Sequence, residues 1–268
     1  MMVGIRAVIL GAIAWGLQAC APPALRAAHS IDKGEVAYEF GQSIDISSHQ
    51  AKVLTLTGND ALPLQESATT HLMAVIGLGG GFEIGTGSSL MAKYSILDER
   101  RHDTPVSVAI AAQTPTFEFL GAGTHYDLSA GVLLSQHAQL GASVALRPVL
   151  NLMYSQRDYR STATIPETLQ DPDADVTEHG MWTQMNYRGI DIPVGFELPI
   201  SVGDKLALAP TFSYTYSVPL EVEAGDFSCS GCAFALDVYE MGTPMRLWIG
   251  LKLQPKLRPV PRSSNEEL

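Results

Sequence analysis

Two stretches of fourteen residues alternate without a slip. From Lys205 to Val218 the even positions read Leu206, Leu208, Pro210, Phe212, Tyr214, Tyr216 and Val218, with Ala, Thr and Ser between them. From Tyr187 to Ile200, Ile190, Ile192, Val194, Phe196 and Leu198 oppose Gly189, Asp191, Pro193, Gly195 and Glu197. A period of two sends successive side chains to opposite faces of a strand. Each stretch therefore has one large apolar face and one small, polar face. A soluble strand usually runs about 5 to 6 residues, whereas a tilted strand crossing a bilayer needs about 9 to 11. The observed lengths suit a membrane.

The same alternation covers 142–155, 126–135 and 240–254, and shorter pieces lie at 35–44, 90–97 and 106–113. The stretch His71 to Gly87 reads two ways. Either one strand runs from Leu72 to Ile84 with 53–57 as its partner, or Gly79-Gly80-Gly81 is a tight turn between two shorter strands and 53–57 belongs to a loop. Both readings give ten strands. Connections near 98–104, 136–140 and 201–204 are short, while those at 155–183 and 219–233 are long. From the sixth strand on, long and short connections alternate, so the long ones share one end of an up-and-down sheet.

Composition narrows the function classes. With 46% apolar and 17% charged residues the chain is no disordered acidic segment, and a net charge of −11 argues against nucleic acid as a partner. At the N-terminus, Arg6 precedes an apolar run from Ala7 to Trp15, too short to span a bilayer and shaped like an export signal. Leu17-Gln18-Ala19-Cys20 resembles a bacterial lipobox. That resemblance implies a signal peptide over 1–19 and lipidation, with a palmitate-type acyl chain, on Cys20.

Alternation, loop asymmetry and an even strand count together resemble bacterial outer-membrane β-barrel proteins over roughly residues 34 to 254. The resemblance implies an all-β, antiparallel up-and-down transmembrane barrel of about ten strands in a Gram-negative-type outer membrane. It also implies folding by the barrel-assembly machinery, and both termini in the periplasm. Glu240 to Leu247 resembles the assembly signal that such barrels carry on their closing strand. Residues 20–33 are then expected to be a periplasmic linker, and the polar, Pro-rich 255–268 a disordered periplasmic tail.

An apolar face in lipid leaves no water for unpaired strand edges, so the sheet has to close. A ten-stranded barrel is narrow enough for inward side chains largely to fill it. The inward set should contain Glu35, Glu39, Glu83, Lys93, Asp127, Arg147, Asp191, Glu197, Glu240, Arg246 and Lys252. Mixed signs at close quarters imply a salt-bridge network, because an uncompensated charge there is expensive. Two readings follow: a plugged, rigid lumen, or a narrow polar conduit that is porin-like and passes small solutes.

Few motifs carry chemistry. Gly77-Leu78-Gly79-Gly80-Gly81 imitates a dinucleotide turn, but Phe82 stands where the last Gly belongs. Cys229 and Cys232, in an exported loop, are a candidate disulfide. Ser129 lacks the leading Gly of a nucleophile elbow. Asp171, Asp173, Asp175, Glu178 and His179 crowd one long loop, where they could serve a rim hydrolase like the ten-stranded outer-membrane proteases, or hold Ca²⁺. The expected protein is nonetheless not an enzyme and has no catalytic residue, metal or cofactor. Its role is structural or interaction-based, or solute passage. Its partners are outer-membrane lipid and an extracellular ligand at 155–183 and 219–233. The rivals are the rim hydrolase and a lipid-anchored soluble barrel enclosing a hydrophobic ligand.

Overall fold

The computed structural model describes residues 25–46, 49–55, 58–64, 69–100, 102, 104–115, 128–164, 180–230, 235–240 and 245–256. Its strands are β1 (Val36–Asp45), β2 (His49–Thr55), β3 (Gly58–Leu64), β4 (Thr69–Gly79), β5 (Phe82–Gly87), β6 (Ser89–Leu97), β7 (Ser107–Pro115) and β8 (Leu128–Ser135). They continue as β9 (Ala138–Gln139), β10 (Ala145–Thr164), β11 (Gly180–Glu197), β12 (Ile200–Val202), β13 (Leu206–Ser230), β14 (Ala235–Glu240) and β15 (Met245–Pro255).

Ten of these strands form an all-β, antiparallel closed barrel. The ring runs β1, β4, β5, β6, β7, β8, β10, β11, β13, β15 and back to β1. It closes through β15 on β1, with Tyr38 opposite Leu253 and Asp45 opposite Arg246. β9 and β12 only extend the turns at one rim, pairing with the starts of β10 and β13. That rim also holds the start of β1 and the end of β15. Every barrel edge is consumed by a neighbour.

The alternation has the sense read from the sequence. Tyr38, Phe40, Ile84, Ile110, Leu150, Leu152, Val194 and Phe196 are exposed on the outside. Glu39, Lys93, Ala109, Asn151, Met153, Asp191 and Glu197 are buried within. The outer surface carries rings near the terminal rim, where Phe82 lies 4.4 Å from Tyr94 and Phe196 lies 5.8 Å from Phe212 between centroids. Higher on β11 and β13 the outward face becomes charged, and exposed Arg188 pairs with Glu221 at 2.7 Å. The apolar band lies between these two features.

Several boundaries differ from the sequence reading. Gly79, Gly80 and Gly81 all have positive φ, at 90°, 60° and 87°, so this run is the tight turn between β4 and β5. Of the stretch 53–57, residues 53–55 belong to β2, which pairs with β3 and β14 in a separate three-stranded sheet and not with the barrel, while 56 and 57 lie outside the described residues. Parts of the expected loops 155–183 and 219–233 are strand, because β10 continues to Thr164, β11 begins at Gly180 and β13 runs to Ser230; 165–179 and 231–233 lie outside the described residues. Tyr, Thr and Met there keep strand propensity past the point where the alternation breaks.

The closing strand starts at Met245, five residues later than expected. Glu240 lies in β14, opposite Gln50, so the Glu240–Leu247 match spans two strands of different sheets. Most consequential is the segment expected as a periplasmic linker. Over Leu25–Ile31 it lies buried inside the barrel. Residues 1–24 and 257–268, with the signal peptide, Cys20 and most of the expected tail, lie outside the described residues.

Candidate functional site

Among the described residues, buried charge gathers in the barrel interior. Strand register does much of the work: Glu39 stands opposite Lys252, Glu83 opposite Lys93, and Arg147 opposite Glu197. Arg147 reaches Glu197 at 2.6 Å, and Lys93 reaches Glu83 at 2.8 Å. Lys252 pairs with the other Glu197 oxygen and stands 4.0 Å from Glu39. Toward the other rim a second layer joins Arg157 to Asp191, which also accepts from the Ser217 hydroxyl. The Arg157 guanidinium lies 5.6 Å from the centre of the Tyr187 ring.

Of the eleven inward charges expected from sequence, Glu39, Glu83, Lys93, Arg147, Asp191, Glu197, Arg246 and Lys252 are buried. Glu35 is only partly buried and sits at the rim, where its carboxylate accepts from the Asp32 N–H at 3.3 Å. Glu240 is outside the barrel sheet, as described above, and Asp127 lies outside the described residues. Sequence reasoning missed Arg157, His71 and Trp248 as interior residues. Trp248 sits at an inward position of β15, donates to Thr211 Oγ1 at 3.0 Å and meets His71 edge-on at 5.6 Å. The signal was present in its phase between Leu247 and Ile249, but its apolar character pointed outward.

Leu25–Ile31 threads this interior, and barrel side chains answer its main chain. The Lys252 ammonium donates to the Leu25 carbonyl at 3.2 Å. With its side-chain amide oriented to satisfy both atoms, Asn151 accepts from Arg26 N at 3.2 Å and donates to Arg26 O at 3.1 Å. Lys93 donates to the carbonyls of Ala27 and His29 at 3.1 and 2.7 Å. Ser135 Oγ accepts from Ala28 N at 2.9 Å, and Glu83 accepts from Ile31 N at 2.6 Å.

Side chains of the insert are seated as well. Leu25 packs on Val149 and Trp248, Ala28 on Ala109, Ala111, Leu133 and Met153, and Ile31 on Met73, Val75 and Met91. The Arg26 guanidinium reaches Glu39 at 3.2 Å. Beside the insert a void of about 40 Å³ remains, lined by Arg26, Glu39, Glu83, Lys93 and Lys252. That holds about one or two waters.

The rim secures the point of entry. Gly34 N donates to Gly77 O at 2.8 Å, and Gly77 N donates to Glu35 O at 3.0 Å. A Cβ on Gly77 would lie 2.3 Å from the Asp32 carbonyl oxygen, so only glycine lets the entering chain pass this close. In the β6–β7 turn, Asp98 accepts from Ser30 N at 3.3 Å and from Arg100 Nη2 at 2.8 Å, while Arg100 also donates to the Ser30 carbonyl. Burial pushes the Asp98 carboxyl up, but the hydrogen bonds and charge of Arg100, with the Ser30 N–H, outweigh it. The net result is a pKa below the usual Asp value.

The other candidate residues lie apart from this cluster or outside the described residues. Cys229 is disulfide-bonded, and Cys232 lies outside the described residues, as do Asp171, Asp173, Asp175, Glu178 and His179. Ser129 shares a hydrogen bond with Ser155 at 3.0 Å and has no base beside it. Among the described residues no group of His, Cys, Asp and Glu is placed to hold a metal.

No protein-family model matches the chain, and no curated protein matches it either. Solved structures align with it at low identity. Ail, the attachment invasion locus protein of Yersinia pestis, is 10% identical over 84% of this chain and 99% of its own, with a TM-score of 0.29. The outer membrane protease OmpT from Escherichia coli is 9% identical over 85% and 100%, with a TM-score of 0.32. A major outer membrane protein from Thermus thermophilus is 12% identical over 81% and 99%, with a TM-score of 0.30. These neighbours are outer-membrane β-barrel proteins. Overlays this loose transfer no role, and the barrel assignment stands on the chain's own strand pairing.

Proposed function

We propose that this protein is an integral outer-membrane β-barrel with a sealed lumen, serving a structural or interaction role and not passage of solutes. The observation that carries the reading is the inversion of polarity across the wall. Large apolar side chains cover the outside while charges, serines and threonines fill the inside. Water outside such a wall would leave the apolar band unsatisfied, whereas lipid matches it. A soluble barrel for a hydrophobic ligand requires the opposite arrangement. At the level of Leu25–Ile31 the buried insert and the ion pairs occupy the lumen and the void beside them is only about 40 Å³, which favours the sealed reading over a conduit.

In this reading the terminal rim faces the periplasm, the barrel-assembly machinery inserts the chain, and the extended β10, β11 and β13 project outward as the interaction surface. No catalytic role is assigned. Lipidation of Cys20 rests on the lipobox resemblance, and buried Leu25 lies five positions after Cys20, a reach of at most about 18 Å. Incorporation of labelled palmitate, lost in Cys20→Ser, tests it; incorporation retained by that variant contradicts it.

Reconstitution in planar bilayers tests the main reading. The intact chain should insert, resist carbonate extraction and conduct no steady current. Release by carbonate overturns the membrane assignment, and a stable open conductance overturns the sealed lumen.

A further inference from the structure

We propose that the barrel interior is a peptide-binding site and that Leu25–Ile31 is its resident, replaceable occupant. The class of ligand is an extended peptide that places an apolar residue, Arg, two small residues and, three positions after the Arg's second neighbour, a closing apolar residue as in Leu-Arg-Ala-Ala-His-Ser-Ile.

Three observations support a ligand relationship over ordinary core packing. The barrel closes without the segment: none of the ten strand pairings around the ring involves residues 25–31. Recognition comes instead from side chains of the wall and its rim, which meet at least one main-chain N–H or C=O group of every residue from Leu25 to Ile31. Sheet edges are absent inside a closed barrel, so strand addition cannot hold a peptide there and side-chain donors and acceptors must do so.

The second observation is spacing. Leu25, Ala28 and Ile31 stand three residues apart, and each enters a separate apolar cluster. Ala28 lies on a floor that includes Ala109 and Ala111, which has no room for a large side chain. Between these sockets Arg26 finds Glu39, and the Ser30 hydroxyl lies 3.5 Å from Asp98. Main-chain contacts supply general affinity and the sockets supply selectivity.

The third is electrostatic. Lys93 and Lys252, the cations that hold the peptide carbonyls, each keep a carboxylate of the wall, Glu83 and Glu197. Withdrawal of the segment therefore leaves both cations neutralised. Glu39 loses Arg26 but retains Lys252 at 4.0 Å. An emptied lumen is thus a wetted, charge-balanced groove, not a broken core.

The test uses the protein in detergent micelles, so it does not depend on the membrane reading. A chain with residues 25–31 deleted, its folding checked by heat-dependent gel mobility, is titrated with fluorescent Leu-Arg-Ala-Ala-His-Ser-Ile. The proposal expects saturable binding to the deleted chain and none to the intact one. The same peptide carrying Arg26→Glu should bind at least about tenfold more weakly, since it sets a carboxylate against Glu39. A folded, deleted barrel that fails to bind overturns the proposal, as does equal binding of a scrambled peptide. If the deleted chain does not fold, full-length Ala28→Trp decides. Its indole cannot fit the alanine floor, so the segment should leave, Arg26 should become cleavable by trypsin and the peptide should bind. Arg26 still protected, or no peptide bound, overturns the proposal by that route.

Discussion

Glu197 joins two cations of the interior. Its two oxygens serve Arg147 and Lys252, and it is fully buried. Glu197→Gln removes the negative charge that Arg147 and Lys252 share, leaving Lys252 with Glu39 at 4.0 Å and taking from Arg147 the carboxylate it reaches. Breaking a buried pair in this way costs about 3–5 kcal/mol. The variant should convert to the unfolded gel band at lower temperature and unfold at lower denaturant concentration; unchanged transitions would show that the network adds nothing to stability. Asp98 supplies a pH dependence. Its folded pKa lies below the unfolded one, so the unfolded chain binds the extra proton as pH falls. Stability from this clamp is complete above the usual Asp pKa of about 3.9 and is lost as pH falls through the folded value. Acidification below that range should expose Arg26 to an acid-tolerant protease that cuts after basic residues. Asp98→Asn should show the exposure at neutral pH as well.

At the scale of elements, the hinge at Gly77 and the lipid face of β10 make separable predictions. Gly77→Val places a branched side chain where the Asp32 carbonyl oxygen lies 2.3 Å from the Cβ position, so the entering chain must shift. The barrel should still form, because Gly77 belongs to β4 and its ladder partner Glu83 is unaffected, but the insert should become protease-sensitive. Leu152→Arg puts a charge on the outer face of β10, at a cost of about 2–4 kcal/mol near the bilayer midplane. Met153→Leu, one residue on and inside, should cost little. Comparable losses at both would contradict the inside-out polarity.

Much at this scale was legible in the sequence. Alternation located the barrel strands, and the cross-strand ion pairs follow once inward charges are put in register. Two boundaries were not legible, for a physical reason. β10 continues to Thr164 and β13 to Ser230 past the point where the apolar period vanishes from the sequence, because backbone pairing with β11 carries these strands on without it. The insert was illegible for a related reason. Leu25-Arg26-Ala27-Ala28-His29-Ser30-Ile31 has no strand period because its partners are wall side chains and not a neighbouring ladder. Leu25, Ala28 and Ile31, at intervals of three, are intelligible only against the sockets that receive them.

Considered whole, the molecule is a closed wall with its charges turned inward, an occupied lumen and a separate three-stranded sheet formed from the β1–β4 and β13–β15 connections. The net charge of −11 gives no attraction to an anionic surface, so attachment has to come from the apolar band or from the acyl chain proposed on Cys20. The central claim is that this band meets lipid. Photolabelling of the chain in lipid vesicles with a membrane-dissolved diazirine, read residue by residue by mass spectrometry, tests it most directly. Label should appear on Phe40, Ile110, Leu150, Leu152 and Val194, and be absent from Leu133, Met153 and Trp248. Label on the interior set, or an outer face that stays unlabelled, would contradict the account.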